Sequence, residues 1–105
     1  MFSISQTDDP AIWTLSGRLD NSTCAEIDQK AAELARGGTV VLDMSGVDYV
    51  SSAGLRAILQ LLKRFQSAGG RLHLAALQPP VREIFEISGF KSIVPIFPSV
   101  ADAKP

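Results

Sequence analysis

The chain has 105 residues, 46% of them apolar and 20% charged, which suits one compact domain around one hydrophobic core and argues against a disordered chain or a second domain. Ten Lys and Arg against eleven Asp and Glu leave a formal charge of -1, so no positive field draws the molecule to nucleic acid or anionic lipid. A single cysteine, Cys24, and a single histidine, His73, provide neither an internal disulfide nor the ligand cluster of a transition metal. With no secretory start and no apolar run near the roughly 20 residues of a membrane span, a soluble cytoplasmic protein without membrane insertion is expected.

Residues 2–5 alternate apolar and polar, Thr7-Asp8-Asp9-Pro10 supplies turn chemistry, and residues 11–16 resume with Ile12, Trp13 and Leu15. The opening reads as an antiparallel hairpin. Between residues 21 and 35, Cys24, Ile27, Ala31 and Leu34 recur at helical spacing, with Asn21 or Ser22 as cap and Gly37-Gly38 as stop. Residues 39–44 form a nearly unbroken apolar run, as in a strand covered on both faces, and Ser45-Gly46-Val47-Asp48 reads as a turn. A second helix over 52–68 carries Leu55, Ile58, Leu59, Leu62 and Phe65 on one stripe and ends at Gly69-Gly70. A strand over 71–77, a helix opened by Pro79-Pro80 and stopped by Ser88-Gly89, a strand over 92–97 and a short helix over 99–103 complete the chain. Pro95 lacks a ladder donor, which places it at a sheet edge or a bulge. The pattern predicts an α/β sandwich with a mixed, mostly parallel sheet, an antiparallel strand at the start and about four helices, in one domain over 1–105 with a short C-terminal stub over 98–105.

In such sheets functional groups gather at the carboxyl ends of the parallel strands. Gly17-Arg18-Leu19-Asp20-Asn21 and the segment from Asp43 to Gly54 read as the loops that hold most of the polar candidates. Ser51 and Ser52 directly precede a helix, whose first N–H groups and dipole favour an anion. Such a serine serves either as a helix cap or as a phosphoacceptor, and composition does not separate the two. Gly54 costs its helix about 1 kcal/mol against alanine, which suits a place where a neighbouring strand or a partner comes close to the backbone.

Gly17-Arg18-Leu19-Asp20 followed by Asp43-Met44-Ser45-Gly46-Val47-Asp48-Tyr49-Val50-Ser51-Ser52-Ala53-Gly54-Leu55 resembles the STAS domain of bacterial anti-sigma factor antagonists. The likeness extends over nearly the whole chain, through Gly69-Gly70 and the helix from Pro80 to Ser88-Gly89. It implies a STAS-type sandwich that is not itself an enzyme and needs no cofactor. It further implies phosphorylation of Ser52, with Ser51 as second choice, by an anti-sigma factor with a histidine-kinase-like ATPase fold, and reversal by a serine phosphatase. The partner face it implies comprises Asp20, Asn21, Ser51, Ser52, Ala53, Gly54, Leu55 and Arg56; Ala57 and Leu61, on the flank of the second helix beside its core stripe, read either as part of that face or as peripheral packing against the neighbouring helix. The chain departs from the sporulation members in carrying Ser51 where they have aspartate, and its end is short. STAS domains also serve as accessory modules of transporters and of stress-sensing complexes, which gives the alternative reading.

Two other readings are disfavoured. Ser52 lacks the upstream glycine of a nucleophile elbow and a histidine base, because His73 falls inside a strand. A receiver domain would use Asp20 and Asp43 as an acidic pocket, yet Lys91 precedes the last strand instead of following it. Cys24 and Trp13 are most simply core residues.

Overall fold

The structure is a computed structural model that describes residues 2–9, 11–34 and 38–104, without the side chains of 31–34 and 91. Strands β1 (Ser3–Gln6) and β2 (Ile12–Leu19) form the expected hairpin. Its turn is closed by Thr7 N–H donating to the Ile12 carbonyl at 3.0 Å and by Ala11 N–H donating to Asp9 Oδ1 at 2.9 Å. Pro10 lies outside the described residues.

Helix α1 (Cys24–Leu34), strand β3 (Gly38–Val50), helix α2 (Ser52–Ser67), strand β4 (Gly70–Ala75), helix α3 (Pro79–Ile87), strand β5 (Ile96–Phe97) and helix α4 (Val100–Ala103) follow. The strands lie in the order β1-β2-β3-β4-β5, antiparallel between β1 and β2 and parallel elsewhere. Stepping to the next neighbour through a right-handed crossover each time puts every crossover helix on the same face. Accordingly Ile27 of α1, Ile58 of α2 and Val81 of α3 share a core with Leu15, Val40 and Leu42. The opposite face is covered by α4, where Ala103 packs with Ile12, Val41 and Ala75. This second layer is why Val40, Val41 and Leu42 are all fully buried, and why that stretch of β3 does not alternate. His73 Nδ1 lies 2.7 Å from the Ala103 carbonyl oxygen and fixes α4 to β4, so His73 is a half-buried sheet histidine as expected.

Several expected boundaries are corrected. Ser45-Gly46-Val47-Asp48 is strand, not turn, because β3 continues to Val50. Between Thr14 and Leu19 β2 advances five residues while β3 advances seven from Asp43 to Val50. Two extra residues are therefore bulged out of β3, one at Ser16/Gly46 and one at Arg18/Tyr49. The bulges change the inward spacing from two to three, so that Met44, Val47 and Val50 face the core while Ser45-Gly46 and Asp48-Tyr49 face outward. Gly46 permits the first bulge, since a Cβ there would sit 2.6 Å from Ser16 Cβ. Helix α1 begins at Cys24, and neither Asn21 nor Ser22 caps it; Asp20 and Thr23 organise its first turn. The expected end of α1 at Ala35 and its stop at Gly37 lie outside the described residues. β4 stops at Ala75, before a left-handed Ala76 (φ 59°). The last strand is also shorter than 92–97: Phe90–Ser92 form a 3-10 turn, with the Lys91 backbone inside it, and pairing begins at Ile96. Pro95 stands just before β5 at the sheet edge, where its carbonyl accepts Leu74 N–H at 3.0 Å.

Candidate functional site

The candidate residues converge where β2 and β3 end and α2 begins. Leu19 pairs with Val50, and one residue further Ser51 N–H donates to the Leu19 carbonyl at 2.9 Å. Residues 17–19 and 43–50, expected in loops, therefore belong to strands, and only Asp20 and Ser51 onward leave the sheet. Ser51 is the N-cap of α2, with extended backbone and Oγ accepting from Gly54 N–H at 3.2 Å. The capping role thus falls to Ser51. Ser52, the first residue of the helix, is exposed, and its hydroxyl bonds to no other described residue.

Gly54 is buried against β2. A Cβ there would collide with the Leu19 carbonyl oxygen and lie 3.0 Å from both the carbonyl carbon and Leu19 Cγ. The glycine lets the first turn of α2 rest on the end of β2 and is itself buried there. Ala57 and Leu61, expected on a partner-facing flank, are also buried, at 4% and 1% exposure. The buried positions of α2 are Gly54, Ala57, Ile58, Leu61, Leu62 and Phe65, because the helix packs against α1 on one side as well as against the sheet. The outward set at this end is Asn21, Ser52 and Arg56, with Asp20, Ser51, Ala53 and Leu55 half-buried.

Asp20 is tied into its own turn. Its Oδ1 accepts from Ser22 Oγ at 2.7 Å and Ser22 N–H at 3.0 Å, and its Oδ2 lies 3.6 Å from Arg18 Nε. The Ser22 hydroxyl first, with help from the Ser22 amide and Arg18, holds this carboxyl below the ordinary aspartate range. Arg18 also stacks its guanidinium 4.0 Å from the centre of the Tyr49 ring. Asp43 pairs with Thr14, six residues before Asp20, so the two carboxylates are about 20 Å apart along the strands and form no joint acidic pocket.

Cys24 does more than fill the core. Half-buried at the start of α1, its single S–H is shared between the Asp20 carbonyl at 3.0 Å and the Ala53 carbonyl at 3.3 Å, joining the β2–α1 turn to the first turn of α2. Burial, then Asp28 and Asp20, push the thiol up from its ordinary value, while Arg56 opposes them. A shallow groove of about 120 Å³ runs along this seam, with Asn21, Asp28, Arg56 and Gln60 around Cys24, Ala53 and Ala57. Asp28 and Gln60 were not among the expected site residues; their spacing, four residues after Cys24 and Arg56, is the signal that finds them. Trp13 is buried in the core, as expected. A separate cleft of about 390 Å³ lies between Leu77, Phe97 and α3, where the charged groups are Arg82 and Glu86, an exposed ion pair 3.4 Å apart.

Together these features define a small α/β module whose polar groups surround an exposed helix-start serine. The STAS domain family matches residues 1–103, and the chain belongs to that family. It is 40% identical over 96 residues to BtrV of Bordetella bronchiseptica, named as an anti-sigma factor antagonist, covering 90% of this chain and 83% of that one. Its fold matches the anti-sigma factor antagonist SpoIIAA in its unphosphorylated form, at a TM-score of 0.72, 18% identity and coverage of 98% of this chain and 92% of the other. SpoIIAA, a Bacillus cell fate determinant, is also solved in the phosphorylated form, with a TM-score of 0.63, 17% identity and coverage of 98% and 96%. A sulfate transporter family protein from Wolinella succinogenes shares the fold at a TM-score of 0.76 and 15% identity, covering 88% of this chain and 79% of that one. Among the described residues no helix is long and apolar enough to cross a membrane.

Proposed function

We propose that this chain is a cytoplasmic anti-sigma factor antagonist worked by phosphorylation of Ser52. Unmodified, it binds an anti-sigma factor with a histidine-kinase-like ATPase fold and releases that factor's target; phosphorylated, it lets go until a serine phosphatase restores it. It catalyses nothing itself. The observation that carries this reading is the division of labour at the start of α2. Ser51 is occupied as the cap, while Ser52 is exposed and unbonded at the positive end of a 16-residue helix. The same division favours Ser52 over Ser51 as acceptor. The name of BtrV supports the antagonist role.

Phosphorylation adds about -1.5 to -2 charges where helix N–H groups tolerate an anion, so the fold has no need to rearrange. Set against nucleotide phosphates or acidic groups of the partner, that charge costs several kcal/mol, and about 3 kcal/mol already weakens binding on the order of 100-fold. The surface offered is Asn21, Ser52 and Arg56 with the half-buried Asp20, Ala53 and Leu55, in place of the buried Gly54, Ala57 and Leu61.

The test is intact-mass analysis after incubation with ATP and the candidate anti-sigma ATPase, followed by localisation of the phosphate. One phosphoryl group on Ser52, no labelling of Ser52→Ala and retained binding by that variant are expected. Continued labelling of Ser52→Ala moves the acceptor to Ser51, and equal partner affinity before and after labelling refutes the switch. Capture of a permease in place of an ATPase points to the accessory-module reading.

A further inference from the structure

Arg56 stands one turn beyond Ser52 on the exposed face of α2. Residues four apart on a helix are neighbours, about 6 Å between Cβ atoms, and helical side chains lean toward the N-terminus, which aims the longer arginine at the serine. Of the charged groups on the adjoining elements, Asp28 of α1 lines the same groove as Arg56, Asp20 after β2 acts together with both on Cys24, and Arg18 of β2 lies against Asp20. Arg18 is already engaged, stacked on Tyr49 at 4.0 Å and 3.6 Å from Asp20. Arg56 has no ion-pair partner among the described residues. It borders the α1–α2 groove together with Asp28, close enough for its charge to act on Cys24. The cation nearest Ser52 on its own helix is thus the uncommitted one.

We propose that Arg56 is the internal counter-ion of phosphorylated Ser52. The phosphoryl oxygens draw its guanidinium away from the groove rim, so a single modification adds an anion to the partner face and withdraws a cation from it. Unmodified, the free Arg56 presents positive charge to a partner surface rich in acidic or nucleotide phosphate groups; modified, that attraction is spent within the chain. This rests on the reading of Ser52 as acceptor and names how the same site turns binding off.

The test uses the full chain with phosphoserine placed at position 52 during synthesis, so that no kinase is required. The second ionisation of the phosphate is followed by phosphorus NMR in the parent, Arg56→Gln and Arg64→Gln, the last removing an exposed arginine of α2 about 18 Å from Ser52. The parent is expected to titrate about 0.2–0.4 pH unit below Arg56→Gln, with Arg64→Gln following the parent and Arg56→Lys recovering part of the shift. A titration unchanged by Arg56→Gln, or moved equally by both glutamine variants, overturns the proposal. A kinase that ignores Ser52 defeats the functional reading and leaves this result standing, whereas a flat titration defeats Arg56 alone.

Discussion

Replacing Gly54 with alanine sets two opposing effects against each other at the start of α2. In an open helix the methyl group would gain about 1 kcal/mol over glycine. Here the methyl meets the Leu19 backbone, with the carbonyl carbon and Leu19 Cγ both 3.0 Å away and the carbonyl oxygen closer still. Backbone cannot swing aside as a side chain would, so the first turn of α2 must lift off β2, at an overpacking cost of about 1–3 kcal/mol. Lifting it also stretches the Ser51 N–H bond to the Leu19 carbonyl, now 2.9 Å, and a hydrogen bond lost there costs about 0.5–1.5 kcal/mol. Taking mid-range values, Gly54→Ala is destabilised by about 2 kcal/mol. In urea unfolding, with a slope of about 1–1.5 kcal/mol per molar for a chain of this size, the midpoint falls by about 1.3–2 M. Partner binding weakens as well, because Ser52 moves with the turn. A variant as stable as the parent would mean that helix propensity dominates and that α2 does not rest on the Leu19 carbonyl, which would refute the account of the site.

Three further outcomes separate the roles of neighbouring residues. Ser51→Ala loses the bond to Gly54 N–H and about 1 kcal/mol of stability, whereas Ser52→Ala stays within about 0.5 kcal/mol of the parent; equal losses in thermal or urea unfolding would overturn the division between cap and acceptor. Ala76 holds φ at 59° between β4 and α3, a strain of about 1–2 kcal/mol for an L residue, so Ala76→Gly raises the urea midpoint and a lowered midpoint contradicts the left-handed assignment. Asp20 is held below its ordinary value of about 3.9 in the folded chain, so folding favours its deprotonated form. Its stabilisation is complete at neutral pH and is lost as the pH falls below about 5 and through the folded value. Asp20→Asn therefore narrows the difference between urea midpoints measured at about pH 6.5 and about pH 3, and an unchanged difference would remove Asp20 from the acid response.

Where local chemistry and tertiary packing agree, the sequence is an adequate guide. The hairpin turn has its Thr7 and Asp9 bonds, α3 has its prolines and its terminal Gly89, and the unfavourable Gly54 in α2 marks a close approach to a strand. Ser45-Gly46-Val47-Asp48 misleads because turn residues are carried as strand by two bulges against β2, and a spacing of three between Met44, Val47 and Val50 matches neither the helical nor the simple strand period. That extension shapes the site, because it carries the start of α2 to the end of β2 and separates Asp43 from Asp20. The apolar stripe of α2 is also wider than a single contact surface implies: the helix packs against α1 as well as the sheet and buries Ala57 and Leu61 too, which needs the crossover geometry as well as the pattern of one helix. With those two inside, the exposed side chains beside Ser52 are Asn21 and Arg56, with Ala53 and Leu55 half-buried. The groove between α1 and α2 is accordingly rimmed by Arg56, Asp28 and Gln60, with Ala57 at its floor.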